Sequence, residues 1–425
     1  MQIIRYILPG FALCAHLAAV AQNPGCDGFR YKQQIFSTVK KTTVPYAIAT
    51  SHTGQALTLS MDVYEPQGDT LGKRPVVVLE HGGSFIFGDK ADMARWCQLL
   101  AQRGYVAASI QYRLYPVFIL GFPDSVDIMD AAVKAVGDMK AAVRYFRQDA
   151  ATQNLFRADP NHVFVGGYSA GAVAALHAAY LDADDNLPAF LQNILTANGG
   201  LNGNSGSAAN QSYSSAVEAV INLSGGLYRR EWINDGDLPV SSIHGTADET
   251  VKFYSGLAAN LAYLEGSGLL HAQAQSVGTW SYLKKIPGAG HTNLYEVPQY
   301  AAQVENYWMR TTALLEFLSC YVDTLPEIVT GVVENPLQEP AEWAVYPNPL
   351  RDDVCTIRLA AGAPEPAAAV FYDIGGREVM RVNGIHPGEQ HVSVAGLAPG
   401  LYALRIAGAR PGEAGEPGVR KLVRM

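Results

Sequence analysis

The chain has 425 residues, which is long for one domain and suits two. Hydrophobic residues make up 48% of it and charged residues 16%, which is enough apolar material for packed cores. The net charge is −8, and no run of like charges occurs. Because phosphate binding needs clustered Lys and Arg, this balance argues against a nucleic-acid-binding protein.

The N-terminus has the pattern of an export signal. Arg5 precedes an apolar stretch at residues 6–20, and the small-residue triplet Ala19-Val20-Ala21 is typical of a signal-peptidase site. The stretch is too short to span a membrane comfortably, so we expect a signal peptide at residues 1–21; a buried N-terminal helix is the alternative. No later segment reaches spanning length, which predicts a mature protein without a transmembrane segment.

Four cysteines follow the predicted signal peptide: Cys26, Cys97, Cys320 and Cys355. In an oxidising compartment an even number favours disulfides, and four cysteines leave three pairings open. None of them forms a C-x-x-C pair, which disfavours a zinc or redox motif. Buried free thiols are the alternative.

Short β-rich runs alternate with helical stretches from about residue 42 to 322. This alternation predicts an α/β domain at residues 22–324, with a mostly parallel sheet covered by helices on both faces. The segment at residues 198–215 is crowded with Gly, Asn and Ser and has little apolar surface to bury. We expect it to be an ordered surface loop or a mobile flap near the sheet.

The composition changes after the last predicted helix. Three prolines and several glutamates at residues 325–341 predict a linker. Short β-type runs separated by Gly and Pro then predict a small all-β sandwich at residues 342–425, with strands at 354–359, 368–372, 391–394 and 401–406.

The sequence Gly167-Tyr168-Ser169-Ala170-Gly171 lies between a predicted strand and an Ala-rich helix. In that context the serine sits on a sharp, strained turn whose neighbours must be small. A serine hydroxyl is a poor nucleophile at neutral pH and needs a base that a third group orients. We therefore predict Ser169 as a nucleophile and look for its two partners.

An acid and a base follow in the required order. Asp248 and His291 each come just after a predicted strand, where sites form in parallel sheets. We predict Asp248 as the acid and His291 as the base. A turn or helix-cap role for Asp248 and an ordinary loop role for His291 are the alternatives, and Glu249 is the rival acid. His244 is expected to shape the end of its strand.

The segment His81-Gly82-Gly83-Ser84-Phe85 follows another buried strand. Glycines let the backbone bend so that N–H groups face a substrate, and such groups stabilise a developing oxyanion. We predict oxyanion donors at Gly82 and Gly83 together with the N–H of Ala170. His81 is expected to be structural.

Substrate contacts are expected from Ser84, Phe85 and Tyr168. We also expect Phe87, residues 117–122 and the Gly/Asn/Ser segment at 198–215 to contribute to the acyl and alcohol pockets, because they lie near the carboxyl edge of the predicted sheet.

Four motifs together resemble the α/β-hydrolase carboxylesterases over about residues 42–322: the 81–85 segment, Tyr112-Arg113-Leu114, the Gly-Tyr-Ser-Ala-Gly turn and His-Gly-Thr-Ala-Asp at 244–248. The resemblance implies ester hydrolysis through an acyl-enzyme, with the roles assigned above and no metal or cofactor. A peptidase with the same triad is one alternative. A non-catalytic surface-binding protein with the same fold is the other.

The tail resembles the C-terminal sorting domain of the type IX secretion system. The resemblance rests on Val345-Tyr346-Pro347-Asn348-Pro349, on Tyr-Asp-Ile-Gly-Gly-Arg at 372–377, on Pro-Gly-Leu-Tyr at 399–402 and on Lys-Leu-Val at 421–423. It implies export across the outer membrane by the secretion machinery, to the medium or the cell surface. An esterase there would meet small-molecule or polysaccharide-linked esters. Without the resemblance, the tail reads as an accessory β-domain that binds carbohydrate.

Overall fold

The computed structural model describes residues 25–321, 343–346, 353–359, 367–373, 377–398, 400–407 and 419–424. The predicted signal peptide at 1–21 and the predicted linker at 325–341 lie outside these residues. Among the helices within them, none combines the length and apolar character needed to cross a bilayer.

The larger part, residues 25–321, alternates strands and helices. Its strands are β1 Val39–Thr50, β2 Ala56–Pro66, β3 Arg74–Glu80, β4 Val106–Ile110, β5 Ala158–Tyr168, β6 Val220–Leu223, β7 Gly226–Leu227, β8 Val240–Gly245, β9 Ser255–Ala258, β10 Ala262–Gly266 and β11 Ser281–Ile286. Its α-helices are α1 Ala94–Ala101, α2 Val117–Leu120, α3 Ser125–Ala151, α4 Ala170–Tyr180, α5 Ala189–Ala197, α6 Ala208–Gln211, α7 Ser267–Val277, α8 Asn293–Glu296 and α9 Ala301–Tyr321. Short 3₁₀ helices lie at Lys90–Met93, Gly200–Asn202, Arg230–Trp232 and Pro298–Tyr300.

Eight strands form one sheet in the order β1-β2-β4-β3-β5-β6-β8-β11. Strand β2 runs antiparallel to both of its neighbours, and every pairing from β4 to β11 is parallel. The central strands β3, β4, β6 and β8 are buried along their whole length. A parallel strand is covered on both faces, which explains the uninterrupted apolar run of β3 at residues 75–79. The predicted α/β fold is confirmed.

Helices pack on both faces of this sheet and form two apolar clusters. On one face, Phe146 of α3 and Leu176 of α4 are fully buried against the strands. On the other, Trp96 of α1 and Trp308 of α9 stack with their ring centroids 5.0 Å apart. The two layers hold the sheet rigid, so its carboxyl edge can support a precise site.

A small second sheet, β7-β10-β9, was not predicted from the sequence. Its β9–β10 hairpin turns at Ala259 and Asn260, whose φ angles are 48° and 60°. Two successive positive φ angles match the twist of the flanking strands. The hairpin lies over α3. A hydrogen bond joins the two elements, in which the Ser125 hydroxyl donates to the Leu261 carbonyl at 2.6 Å. We call β9, β10 and their turn the cap hairpin.

The Gly/Asn/Ser segment at 198–215 is ordered and anchored to α3 by charged side chains. The Arg144 guanidinium donates to the carbonyls of Asn202 and Ser205 at 2.9 and 3.0 Å. Arg113 forms a buried ion pair with Asp138 at 2.9 Å and also donates to the Ser205 hydroxyl at 2.7 Å. Polar contacts thus hold a segment that has little apolar surface to bury.

The C-terminal part has strands β12 Trp343–Tyr346, β13 Val354–Leu359, β14 Ala367–Tyr372, β15 Glu378–Ile385, β16 Gly388–Ser393, β17 Gly400–Ala407 and β18 Val419–Arg424. They form two antiparallel sheets in the orders β12-β13-β16 and β15-β14-β17-β18. One apolar cluster joins the inner faces, with Ile357 from the first sheet and Phe371 from the second. This is the predicted small all-β sandwich.

One disulfide joins Cys26, ahead of β1, to Cys320, in the last turn of α9. The two cysteines are separated by 294 positions in the sequence. Cys97 and Cys355 are buried free thiols. The prediction of a disulfide is confirmed for Cys26 and Cys320, whereas the alternative of buried free thiols holds for Cys97 and Cys355.

We expect the double variant Cys26→Ser, Cys320→Ser to lose about 2–5 kcal/mol of unfolding free energy, because the bridge restricts the unfolded chain. Urea unfolding with and without dithiothreitol measures this. The reductant should lower the wild-type midpoint and leave that of the double variant unchanged. Equal wild-type midpoints under both conditions would contradict the assignment.

Candidate active site

Three side chains meet at the carboxyl edge of the large sheet. Ser169 follows β5, Asp248 follows β8 and His291 follows β11. The Ser169 Oγ lies 2.7 Å from His291 Nε2, and His291 Nδ1 lies 2.6 Å from Asp248 Oδ2. The structure therefore brings together the three residues that the sequence predicts as nucleophile, base and acid.

The backbone at Ser169 is strained, with φ 55° and ψ −118°. A non-glycine residue adopts such angles only where its surroundings enforce them. A Cβ on Gly171 would lie 2.1 Å from the Glu80 carbonyl oxygen, and one on Gly167 would lie 2.5 Å from the same atom. Glycines at both positions thus let the turn press against the end of β3.

The Asp248 carboxylate is buried and fully hydrogen-bonded. Its Oδ1 accepts from the backbone N–H groups of Thr250 and Val251, both at 2.9 Å, and its Oδ2 also lies 3.2 Å from His244 Nε2. Burial alone would raise the pKa of this carboxyl, but hydrogen bonds from His244 and His291 outweigh it and hold the pKa well below its usual value. The group is therefore ionised and fixes His291 with Nδ1 as the donor.

The loops that carry the acid and the base are joined directly. The N–H of Ala247 donates to the Ala289 carbonyl at 2.9 Å. Glu249, the rival acid, is exposed, and its carboxylate pairs with Lys252. The side chain that faces the imidazole is Asp248.

The predicted oxyanion segment lies directly over the serine. A Cβ on Gly82 would be 3.1 Å from the Ser169 Cβ. Gly83 has φ 113°, and a Cβ there would be 2.2 Å from the Phe87 carbonyl oxygen. Within the described residues, the N–H groups of Gly82, Gly83 and Ala170 make no hydrogen bond to the protein. They are free to donate to a substrate oxygen beside Ser169.

Tyr112 packs against the predicted oxyanion segment at residues 81–85. No role of its own was assigned to Tyr112 from the sequence, although it lies in the Tyr-Arg-Leu motif. Its hydroxyl donates to the His81 carbonyl at 3.0 Å, and its ring stacks on the imidazole of His81 with centroids 4.4 Å apart. His81 Nδ1 lies 2.7 Å from the Gly82 carbonyl oxygen. His81 is therefore structural, as expected, and Tyr112 fixes the position of Gly82.

Tyr168, for which a substrate contact is predicted, packs against His291. Its ring stacks on His291 with centroids 5.1 Å apart and makes an edge contact with Tyr295 at the same distance. It lies outside the lining of the pocket beside Ser169, whereas Ser84 and Phe85 are part of that lining.

An apolar cavity of about 110 Å³ opens beside Ser169. Its walls come from α3, α4, α5 and the cap hairpin. Phe87, helix α2 and the Gly/Asn/Ser segment, which the sequence led us to expect near the acyl and alcohol pockets, are not part of the lining of this cavity. Phe118 and Phe122 instead point into solvent, with 94% and 91% of their surface exposed, and the Gly/Asn/Ser segment is held on α3.

The carboxyl of Glu80 lies buried beneath the site, and neither of its oxygens has a hydrogen-bond partner among the described residues. Burial, with a smaller contribution from Asp138, raises its pKa well above the usual range. The protonated form is therefore favoured. Within the described ranges, no group of three or more His, Cys, Asp or Glu side chains is arranged to hold a metal ion.

Two segments of the chain match known families. Residues 61–228 match the family described as BD-FAE, and residues 344–411 match the secretion system C-terminal sorting domain. The chain therefore contains an esterase-type α/β-hydrolase domain followed by a sorting domain of the type IX secretion system. Both resemblances found in the sequence are confirmed.

Individual relatives align with this chain over short segments or at low sequence identity. Esterase-5C of Drosophila miranda is 29% identical over 126 residues, covering 30% of this chain and 22% of that protein. Carboxylesterase 3B of Mus musculus is 34% identical over 116 residues, covering 27% and 19%. The chain thus spans about a fifth of the length of these curated relatives. Esterase 2 of Thermogutta terrifontis phosphorylated by paraoxon aligns over 67% of this chain and 96% of its own, with 20% identity and a TM-score of 0.47.

We expect Tyr112→Phe to slow the modification of Ser169 by a fluorophosphonate about five- to tenfold, because one hydrogen bond that fixes the oxyanion segment is lost. The rate is measured by gel fluorescence. Tyr180→Phe is the matched control, since Tyr180 is equally buried and donates to the Leu238 carbonyl at 2.8 Å, away from the segment. Equal slowing in both variants would contradict the role of Tyr112.

We expect the free energy of unfolding of the Glu80→Gln variant to increase relative to that of the wild type as the pH rises. The folded-state pKa of Glu80 is raised above the ordinary value of 4.5. The wild type therefore loses stability relative to the variant above that pH, by about 1.4 kcal/mol per pH unit until the folded-state pKa is reached. Urea unfolding at pH 5 and pH 8 tests this, with the exposed Glu249→Gln as control. A difference that is constant with pH would refute it.

Proposed function

We propose that this protein is a secreted serine esterase that hydrolyses carboxylic esters through an acyl-enzyme on Ser169. The observation that carries the proposal is the unbroken chain of two hydrogen bonds from Ser169 Oγ through His291 to Asp248, at 2.7 and 2.6 Å. A hydroxyl held in this way can lose its proton as it attacks a carbonyl carbon.

The first half-reaction forms the acyl-enzyme. His291 Nε2 takes the proton of Ser169 while Oγ bonds to the ester carbonyl carbon. The carbonyl oxygen becomes an oxyanion and accepts hydrogen bonds from the free N–H groups of Gly82, Gly83 and Ala170. The tetrahedral intermediate then collapses, and His291 gives the proton to the departing alcohol.

The second half-reaction uses water and the same groups. His291 takes a proton from water, which attacks the acyl carbon, and then returns a proton to Ser169 Oγ as the carboxylic acid leaves. Asp248 stays ionised throughout and stabilises the imidazolium. Its low pKa supports this role, because the proton remains on the imidazole.

The sequence is also compatible with two other functions. A non-catalytic surface protein has no need for a strained serine with a matched base, acid and free N–H donors, so the assembled geometry favours an enzyme. A peptidase would use the same triad. Assays with ester and peptide substrates distinguish the two activities.

The location that we propose for the protein rests on the predicted signal peptide and on the sorting domain. The type IX sorting domain supports export to the medium or cell surface through the secretion machinery. A signal peptide at 1–21, a catalytic domain at 22–324, a linker at 325–341 and a sorting domain at 342–425 are the organisation that we propose.

We expect Ser169→Ala to lower hydrolysis of p-nitrophenyl acetate by at least about 10³-fold and to abolish fluorophosphonate labelling, with the unfolding midpoint unchanged. Ser212→Ala, at an exposed serine, is the control and should keep both activities. Retained turnover in Ser169→Ala would show that the nucleophile lies elsewhere. Turnover of peptide anilides without ester turnover would favour the peptidase.

A further inference from the structure

One flat face of the His291 imidazole is covered by an aromatic ring. The two nitrogens of the imidazole face Ser169 and Asp248. The Tyr168 ring stacks on its face, with the ring centroids 5.1 Å apart and the ring planes at 29° to each other. The Tyr168 hydroxyl also donates to the backbone carbonyl of His291 at 3.4 Å. Tyr168 thus contacts both the side chain and the backbone of the base.

The same ring packs against the predicted oxyanion segment. A Cβ on Gly82 would lie 2.9 Å from Tyr168 Cδ1, so a side chain at residue 82 would meet the tyrosine ring. Tyr168 therefore lies against both Gly82 and His291, although it is not part of the lining of the cavity beside Ser169.

The position of Tyr168 is itself fixed by further aromatic rings. Tyr295 makes an edge contact with it at 5.1 Å, and the Tyr295 hydroxyl is hydrogen-bonded to that of Ser224 at 2.8 Å. Tyr295 also makes an edge contact with Trp96 at 6.4 Å, and Trp96 stacks on Trp308. A continuous run of rings thus connects the imidazole to the apolar cluster on that side of the sheet.

The ring face of Tyr168 meets a positive charge during the proposed reaction, because His291 becomes an imidazolium when it takes the proton of Ser169. The face of an aromatic ring attracts a cation that lies within about 6 Å of its centroid. Burial raises the pKa of Tyr168 above its usual value, so the phenol is neutral at neutral pH and its ring keeps this character. The other titratable groups around the imidazole are the buried Asp248 and His244, Tyr295, the half-buried Lys252, and the exposed Glu249 and Glu296.

We propose that Tyr168 is a positioning residue whose ring face stabilises the imidazolium of His291 in the transition state, and that Tyr295 holds this ring in place. The inference rests on the proposed esterase function and assigns two further residues to it. Because the imidazolium forms only as the reaction proceeds, its stabilisation lowers the barrier without strengthening substrate binding. Loss of the ring should therefore lower kcat and leave KM unchanged.

The test compares Tyr168→Leu with Tyr168→Phe in the hydrolysis of p-nitrophenyl acetate, with active sites counted by fluorophosphonate labelling. We expect Tyr168→Leu to lower kcat about three- to thirtyfold, with KM within about twofold of the wild type. The acidic midpoint of the kcat/KM profile, which reports protonation of the base, should move about 0.5–1.5 units to lower pH, because the imidazolium is less stabilised. Tyr168→Phe keeps the ring and should restore both values.

Tyr282→Leu is the matched control. Tyr282 is also half-buried and stacks on another ring, that of Tyr307, but it lies at the far end of β11 from His291. This variant should keep the wild-type kcat and the wild-type midpoint, even if its unfolding midpoint falls.

A series of replacements at residue 168 tests the electrostatic part without a change of shape. Phenylalanine, 4-fluorophenylalanine and 3,4,5-trifluorophenylalanine have similar rings, and fluorine progressively removes the negative charge of the ring face. The acidic midpoint should fall stepwise along this series, which keeps the inference testable even if Tyr168→Leu does not fold.

Three results would overturn the inference and leave the proposed function standing. They are an unmoved acidic midpoint in Tyr168→Leu, with or without a loss of kcat, a Tyr168→Phe variant that behaves like Tyr168→Leu, and a midpoint that does not respond to fluorination. Absence of ester turnover in the wild type would instead overturn the proposed function.

Discussion

The close approach of the β5–α4 turn to the end of β3 is the constraint on which the site depends. The carbonyl oxygens of Glu80 and His81 would lie 2.1 and 2.7 Å from a Cβ on Gly171. Only a chain with no side chain there can bring the two segments so near. The same approach sets Gly82 over Ser169. The nucleophile and the oxyanion donors that we propose thus follow two strands, β3 and β5, that are neighbours in the sheet.

A second set of interactions fixes the base. Asp248 is held by two backbone N–H groups of its own loop and by His244, so its remaining bond to His291 has a defined direction. Tyr168 stacks on the other side of the imidazole, and Ala247 ties the two loops together. The imidazole therefore has little freedom to turn away from Ser169. The protein itself thus fixes the position of His291 relative to Ser169 before a substrate binds, which is preorganisation.

Much of the fold and the polar part of the site could be predicted from the sequence. Ser169, Gly82 and His291 lie in short motifs whose neighbours reveal strand, turn and chain order. The pocket could not be found in this way, because Ile128 or Val173 on a helix looks the same whether it faces the core or a cavity. The cap hairpin was missed because residues 255–266 are rich in Ala and Gly and lack an alternating pattern. Strand β15 was missed for a related reason, since most of its residues are exposed or only partly buried.

The Cys26–Cys320 bridge also has a mechanical consequence. The chain leaves the hydrolase part just after Cys320, toward the sorting domain. The bridge ties the last turn of α9 covalently to residue 26, ahead of β1. The end of α9 therefore cannot separate from the sheet without moving residue 26 with it.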